Sequence, residues 1–150
     1  MASSQPREED IVRQLATEIR ILEGSIGALQ SRLDIVRAAI NEVTLAFNTL
    51  DGLKNMKEGD STLVPVGASS YVRMQIADSK KLVMGIGAGA AMEKDVESSV
   101  TELKGRLEEL DKARTSIQQQ LDQTVTRYQQ DRDALEELLR HQNAPSQGAS

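Results

Sequence analysis

Residues 61–94 read STLVPVGASSYVRMQIADSKKLVMGIGAGAAMEK. Two turn signals, Gly67-Ala68-Ser69-Ser70 and Asp78-Ser79-Lys80, divide this stretch. Between them Val72, Met74 and Ile76 alternate with Tyr71, Arg73 and Gln75, a period of two that belongs to a strand. After the second turn Leu82, Met84 and Ile86 share one face in the same way. "TLVPV" supplies a strand before the first turn, and a short fourth strand around Ala90–Met92 is placed to pair back. The stretch therefore predicts two β-hairpins in tandem.

Its second half, "KLVMGIGAGAAME", also contains Gly85-x-Gly87-x-x-Ala90, the outline of a dinucleotide-binding turn. That turn works only inside a parallel βαβ unit, with an acid about twenty residues on at the end of a second strand. Here a long helical pattern follows and no strand comes after it. Nor is there a Gly-Lys-Ser/Thr phosphate loop. Gly85, Gly87 and Gly89 are read instead as relieving crowding in a strand and tight turn where another backbone comes close.

Outward from the hairpins, both flanks carry heptads. In the first, Val12, Ile19, Ile26, Leu33, Ile40 and Phe47 fall at a, and Leu15, Leu22, Leu29, Val36, Val43 and Leu50 at d. A lone helix of 3.6 residues per turn drifts off a seven-residue repeat, whereas a coiled coil holds it. In the second, Val100, Leu107, Leu121, Tyr128 and Leu135 sit at a, and Val96, Leu103, Leu110, Ile117 and Leu138 at d. Arg114, Thr124 and Asp131 interrupt that frame. The predicted organisation is a coiled-coil helix over 8–55, tandem hairpins for oligomerisation over 61–93, a second coiled-coil helix over 94–141 and a disordered tail over 142–150. The fold class is mainly α: a long antiparallel coiled-coil hairpin with two inserted β-hairpins.

Composition narrows the function. The chain has 150 residues, 2% aromatic, with a formal charge of −5. A nucleic-acid surface is normally basic, so none is expected. There is no cysteine, hence no disulfide framework or thiolate metal site. No apolar run is long enough to span a bilayer, and "MASSQPREED" lacks an apolar signal core, so a cytoplasmic location is expected. His141 is the one histidine, and the pairs Glu8-Glu9, Glu108-Glu109 and Glu136-Glu137 lie off the seam, which reads as solvated helix surface. No catalytic, cofactor-binding or metal-binding residue is assigned, and an enzyme is not expected.

About thirty residues of hairpin bury too little surface to stand alone and leave strand edges unpaired. Pairing with hairpins of other subunits is the expected remedy. Val72, Met74, Ile76, Leu82, Met84, Ile86, Gly87 and Gly89 are the candidate oligomerisation residues.

This arrangement of helix, double hairpin and helix resembles the α-class subunit of prefoldin, over about Glu8–His141. The residues that carry the resemblance are Leu63-Val64-Pro65-Val66-Gly67 with Tyr71-Val72, and Val83-Met84-Gly85-Ile86-Gly87-Ala88-Gly89 with Glu93-Lys94. The resemblance implies an ATP-independent co-chaperone without a cofactor. It implies two α-class and four β-class subunits joined through their hairpins into a double β-barrel. It further implies that coiled-coil tips hold non-native client proteins and pass them to a group II chaperonin, with neither nucleic acid nor membrane as a partner. In this chain the apolar stripe widens near both ends, at Ile11 beside Val12 and Leu15 and at Leu139 beside Leu135 and Leu138. Those six are the candidate client-binding residues. A filament-forming relative and a structural coiled-coil adaptor are the alternative readings.

Overall fold

The computed structural model describes residues 5–144. The elements, in chain order, are α1 (Gln5–Leu53), β1 (Ser61–Gly67), β2 (Ser70–Gln75), β3 (Lys81–Gly87), β4 (Ala90–Asp95) and α2 (Val96–Asn143). The chain divides into two compact units. One is built from residues up to Val36 and from Ala113 onward, the other from Arg37–Lys112.

The first unit is a pair of helical segments with one apolar seam. Leu33, Ile117 and Leu121 form its buried core, with Ile26, Leu29, Val36 and Val125 packed around them. Each large side chain so buried contributes about 1.5–3 kcal/mol. Polar contacts fix the direction of the pairing. Arg127 Nε donates to Glu18 Oε1 at 2.7 Å, and the Tyr128 hydroxyl meets Glu23 Oε1 at 3.1 Å. Moving up α1 from Glu18 to Leu33 moves down α2 from Arg127 to Ile117, so the segments run antiparallel. All twelve a and d side chains from Val12 to Leu50 are buried or half-buried.

The three polar seam positions behave differently. Arg114 is exposed, its charge turned out of the seam. Thr124 is half-buried, and its hydroxyl donates to the Gln120 carbonyl at 2.6 Å, which satisfies it within its own helix. Asp131 is half-buried with Oδ2 shut off from solvent and without a hydrogen-bond partner. That oxygen has lost its water and gained nothing in return.

In the second unit each pair of strands forms its own antiparallel sheet, β1 with β2 and β3 with β4. The two sheets are copies of one design displaced by twenty residues. Val64 faces Val72 and Met84 faces Met92; the register breaks between Pro65 and Gly67, and again between Gly85 and Gly87. Gly67 and Gly87 have φ of 103° and 104°, Ala68 and Ala88 of 49° and 52°, and Ser69 and Gly89 of 58° and 74°. Two successive left-handed residues make the primed turn that matches strand twist, and the glycine before them makes the bulge. The Ile76 N–H donates to the Asp60 carbonyl and the Val96 N–H to the Lys80 carbonyl, both at 2.8 Å, so the repeat extends past the strands. Val96 is also the most buried large side chain of this unit, with Val100 and Leu103 buried beside it.

Element ends differ from the expectation by a few residues. Strand β4 reaches Asp95 instead of stopping at Met92, because Lys94 pairs with Leu82 and Asp95 with Lys81. Helix α2 therefore starts at Val96 and continues through Asn143, so that Gln142 and Asn143 are helical where a tail was expected. Of the rest of the tail, Ala144 forms a bend and residues 145–150 lie outside the described residues. Helix α1 begins at Gln5 and stops at Leu53, where Gly52 and tighter turn bonds such as Met56 N–H to the Leu53 carbonyl take over.

Asp131→Leu removes the unpartnered carboxylate and restores an apolar d position. It is expected to raise the unfolding free energy by about 1–2 kcal/mol, measured by circular dichroism during denaturation of the full chain. An unchanged or lowered stability would show that the carboxylate is satisfied in solution.

Candidate functional site

Two surfaces concentrate the candidate residues. The first is the pair of hairpins. Cross-strand partners share a face, so Val64, Val72 and Met74 lie together on the first hairpin, and Leu82, Met84 and Met92 on the second. Val64, Leu82 and Met84 are half-buried, while Val72, Met74, Ile86 and Met92 are exposed. Ile76 lies one residue beyond β2, where its backbone closes the hairpin through the Asp60 and Gly59 bonds; it therefore continues the ladder without belonging to the strand.

The opposite faces also expose apolar side chains, there beside the charged Arg73 and Glu93. Leu63 is 57%, Tyr71 62% and Val83 74% exposed. From the sequence only one face is assigned to the interface, because Tyr71 and Val83 alternate with the residues placed on it. The signal was present in composition: a strand with one wet face carries polar residues there, whereas Leu63, Pro65, Tyr71 and Val83 are not.

Within the chain, turn conformation and crowding can be separated as reasons for the glycines. A Cβ built on Gly85, Gly87 or Gly89 meets nothing within 4 Å, so no neighbouring backbone of this chain crowds them. For Gly87 and Gly89 the requirement is the positive φ, which places side-chain-bearing residues in strain. Gly85 has neither a positive φ nor a close neighbour, and nothing within the chain explains it.

The second surface is the end of the helix pair where α1 begins and α2 finishes. Ile11 is 44% and Leu139 40% exposed. Val12, Leu15, Leu135 and Leu138 are half-buried in the seam. The six thus split into two that present apolar surface and four whose side chains are shared with the helix pairing. Polar groups rim this end: Arg140 pairs with Glu136 at 2.9 Å, and the Arg132 guanidinium lies 5.7 Å from the Tyr128 ring. His141 is exposed in the last turn of α2.

Among the described residues, no group of three or more His, Cys, Asp or Glu side chains is placed to hold a metal ion. No helix among them is long and apolar enough to cross a membrane.

Comparison with known proteins places these features together. The model of the family "Prefoldin subunit" matches residues 22–141. Among relatives, the chain is 34% identical to the prefoldin subunit alpha of Methanosarcina barkeri over 143 residues, covering 93% of this chain and 96% of the relative. It is 32% identical to that of Methanopyrus kandleri over 110 residues, covering 73% and 70%. A cryo-EM structure of filamentous PFD from Methanocaldococcus jannaschii aligns over 81% of this chain and 94% of that one, at 24% identity and a TM-score of 0.47.

Gly87→Val forces a β-branched residue into a left-handed backbone and is expected to disrupt the second hairpin, at a cost of about 1–3 kcal/mol. The equivalent change at Gly85, whose φ is not positive, should leave the hairpin formed. Amide hydrogen exchange at β3 and β4 compares the two variants directly; equal protection would remove backbone conformation as the reason for Gly87.

Proposed function

This chain belongs to the prefoldin family of co-chaperones, a non-enzymatic family, and we propose that it is the α-class subunit of an ATP-independent complex that holds non-native proteins. The observation that carries the proposal is the apolar surface on both faces of both hairpins. Leu63, Tyr71 and Val83 on one side and Val72, Met74 and Ile86 on the other are all more than two-fifths exposed in the single chain. Two-stranded sheets of this size are marginal in water, and so much strand apolar surface marks an interface.

The proposed assembly follows from that surface. Hairpins of several subunits pair edge to edge, close their sheets into barrels and bury these side chains. Closure also satisfies the backbone groups along the free strand edges. Two copies of this chain and four β-class subunits are the proposed stoichiometry. The helix ends supply the second part of the function. Ile11 and Leu139 offer apolar contact to an unfolded chain, and Val12, Leu15, Leu135 and Leu138 become available as the terminal turns loosen. Each contact is weak, so capture depends on several subunits acting on one client. Release is to a group II chaperonin in the cytoplasm, driven by that partner's affinity and without nucleotide hydrolysis by this chain.

Two measurements test the two halves separately. Ile86→Asp places an unpaired charge where the barrel would bury it. The helical circular dichroism should be unchanged while the mass of the complex with a β-class subunit falls to that of smaller species. An intact complex would remove the hairpin face from the interface. Ile11→Glu combined with Leu139→Glu alters only exposed positions, so the complex should keep its mass. It should protect a client diluted from denaturant less well, read as increased light scattering. Equal protection would move client binding away from the helix ends.

A further inference from the structure

The outer face of α1 departs from what a coiled coil needs. Positions c and f lie opposite the seam and are ordinarily solvated and charged. Between Thr17 and Ile35 they read Thr17, Ile21, Gly24, Ala28, Ser31, Ile35, without one charge. All six are exposed, and Ile21 and Ile35 are 64% and 69% exposed. Gly24 weakens the helix interior, yet a Cβ placed on it meets nothing within 4 Å, as at neighbouring Gly27. The chain's own packing therefore explains neither the isoleucines nor the glycines. Charge returns only at the flanks, with Arg20, Gly27 and Asp34 on one side and Glu18, Ser25 and Arg32 on the other.

We propose that this face binds the same face of a second copy of the chain, with the two α1 helices antiparallel about a twofold axis. The argument is the self-complementarity of the pattern, which an isologous contact demands. In the antiparallel register centred near Ser25–Gly27, Ile21 packs over Ser31 of the second copy and Ile35 over its Thr17. Ala28 meets Gly24 of the second copy, so the backbones approach closely where both residues are small. On one flank Arg20 then lies opposite Asp34 of the second copy, and on the other Glu18 lies opposite its Arg32. The axis generates each pair twice, and no like charges oppose one another between residues 17 and 35. Glu18 Oε1 already receives Arg127 of its own chain, which leaves Oε2 for the incoming guanidinium. The residues of this interface are distinct from those of the hairpins.

The register makes the test specific. The chain has no cysteine, so single cysteines report unambiguously. Gly27→Cys, beside the axis, should be joined to its own kind by a short bis-maleimide. Arg13→Cys, on the same flank, should not, because its symmetry mate is roughly 40 Å away at 1.5 Å per residue. In the Gly27→Cys background, Arg20→Asp sets like charges at both symmetric positions and should lower cross-linking about tenfold at low salt. Adding Asp34→Arg should restore it, a result that a merely structural effect of either change would not produce. Circular dichroism confirms that each full-length variant is folded. Equal cross-linking of Gly27→Cys and Arg13→Cys, or failure of the double reversal to recover what the single one lost, would overturn the proposal.

Discussion

A two-stranded sheet has two faces and two edges, and in this chain both faces of each hairpin are left only partly covered. The helix seam hides its apolar residues between two segments; the hairpins have no such partner. Their interiors are also narrow, since each strand has only six or seven residues. The side chains that would form a core, from Leu63 to Met92, stay in contact with water. Assembly is therefore a condition for burying the hairpins, and the repeat of one hairpin design at a spacing of twenty residues gives a single chain two equivalent pairing elements. The copies are not identical. Arg73 in the first corresponds to Glu93 in the second, and Met74 to Lys94, which gives the two hairpins different charge and a means to prefer different neighbours.

The helices solve the complementary problem. A nearly unbroken apolar a/d pattern on α1 meets an interrupted one on α2, and the interruptions are handled one by one. Thr124 satisfies its hydroxyl on its own helix, Arg114 leaves the seam, and Asp131 alone holds an oxygen that is buried and unpartnered. The weakest position in the seam thus lies within two turns of the apolar residues at the end of α2. The client capture proposed at this end would draw on that weak position, since binding surfaces tend to draw on regions of low local stability.

Much of this was legible in the sequence because periodicity reports burial. The a and d residues of α1 are buried or half-buried in the structure, and alternation from Tyr71 to Ile76 marks β2. What was not legible had physical causes. The left-handed backbone at Ala68, Ser69 and Ala88 is set by the turn, against the preference of those residues. The exposed apolar residues on the second face of the hairpins are not marked by alternation, which assigns sides without saying whether both are covered. The twenty-residue repeat is carried by backbone geometry and by few identities, Gly67 with Gly87 and Ala68 with Ala88 among them. The boundary at Asp95 depends on the cross-strand partner Lys81, which local pattern cannot reveal.

In the proposed assembly the hairpins of this chain are completed only by hairpins of other subunits. Native mass measurement of the chain mixed with a β-class prefoldin subunit tests it most directly. A single dominant species containing two copies of this 16.4 kDa chain and four of its partner is expected. A spectrum in which the free chain persists at its own mass, at concentrations where the partner is in excess, would contradict it.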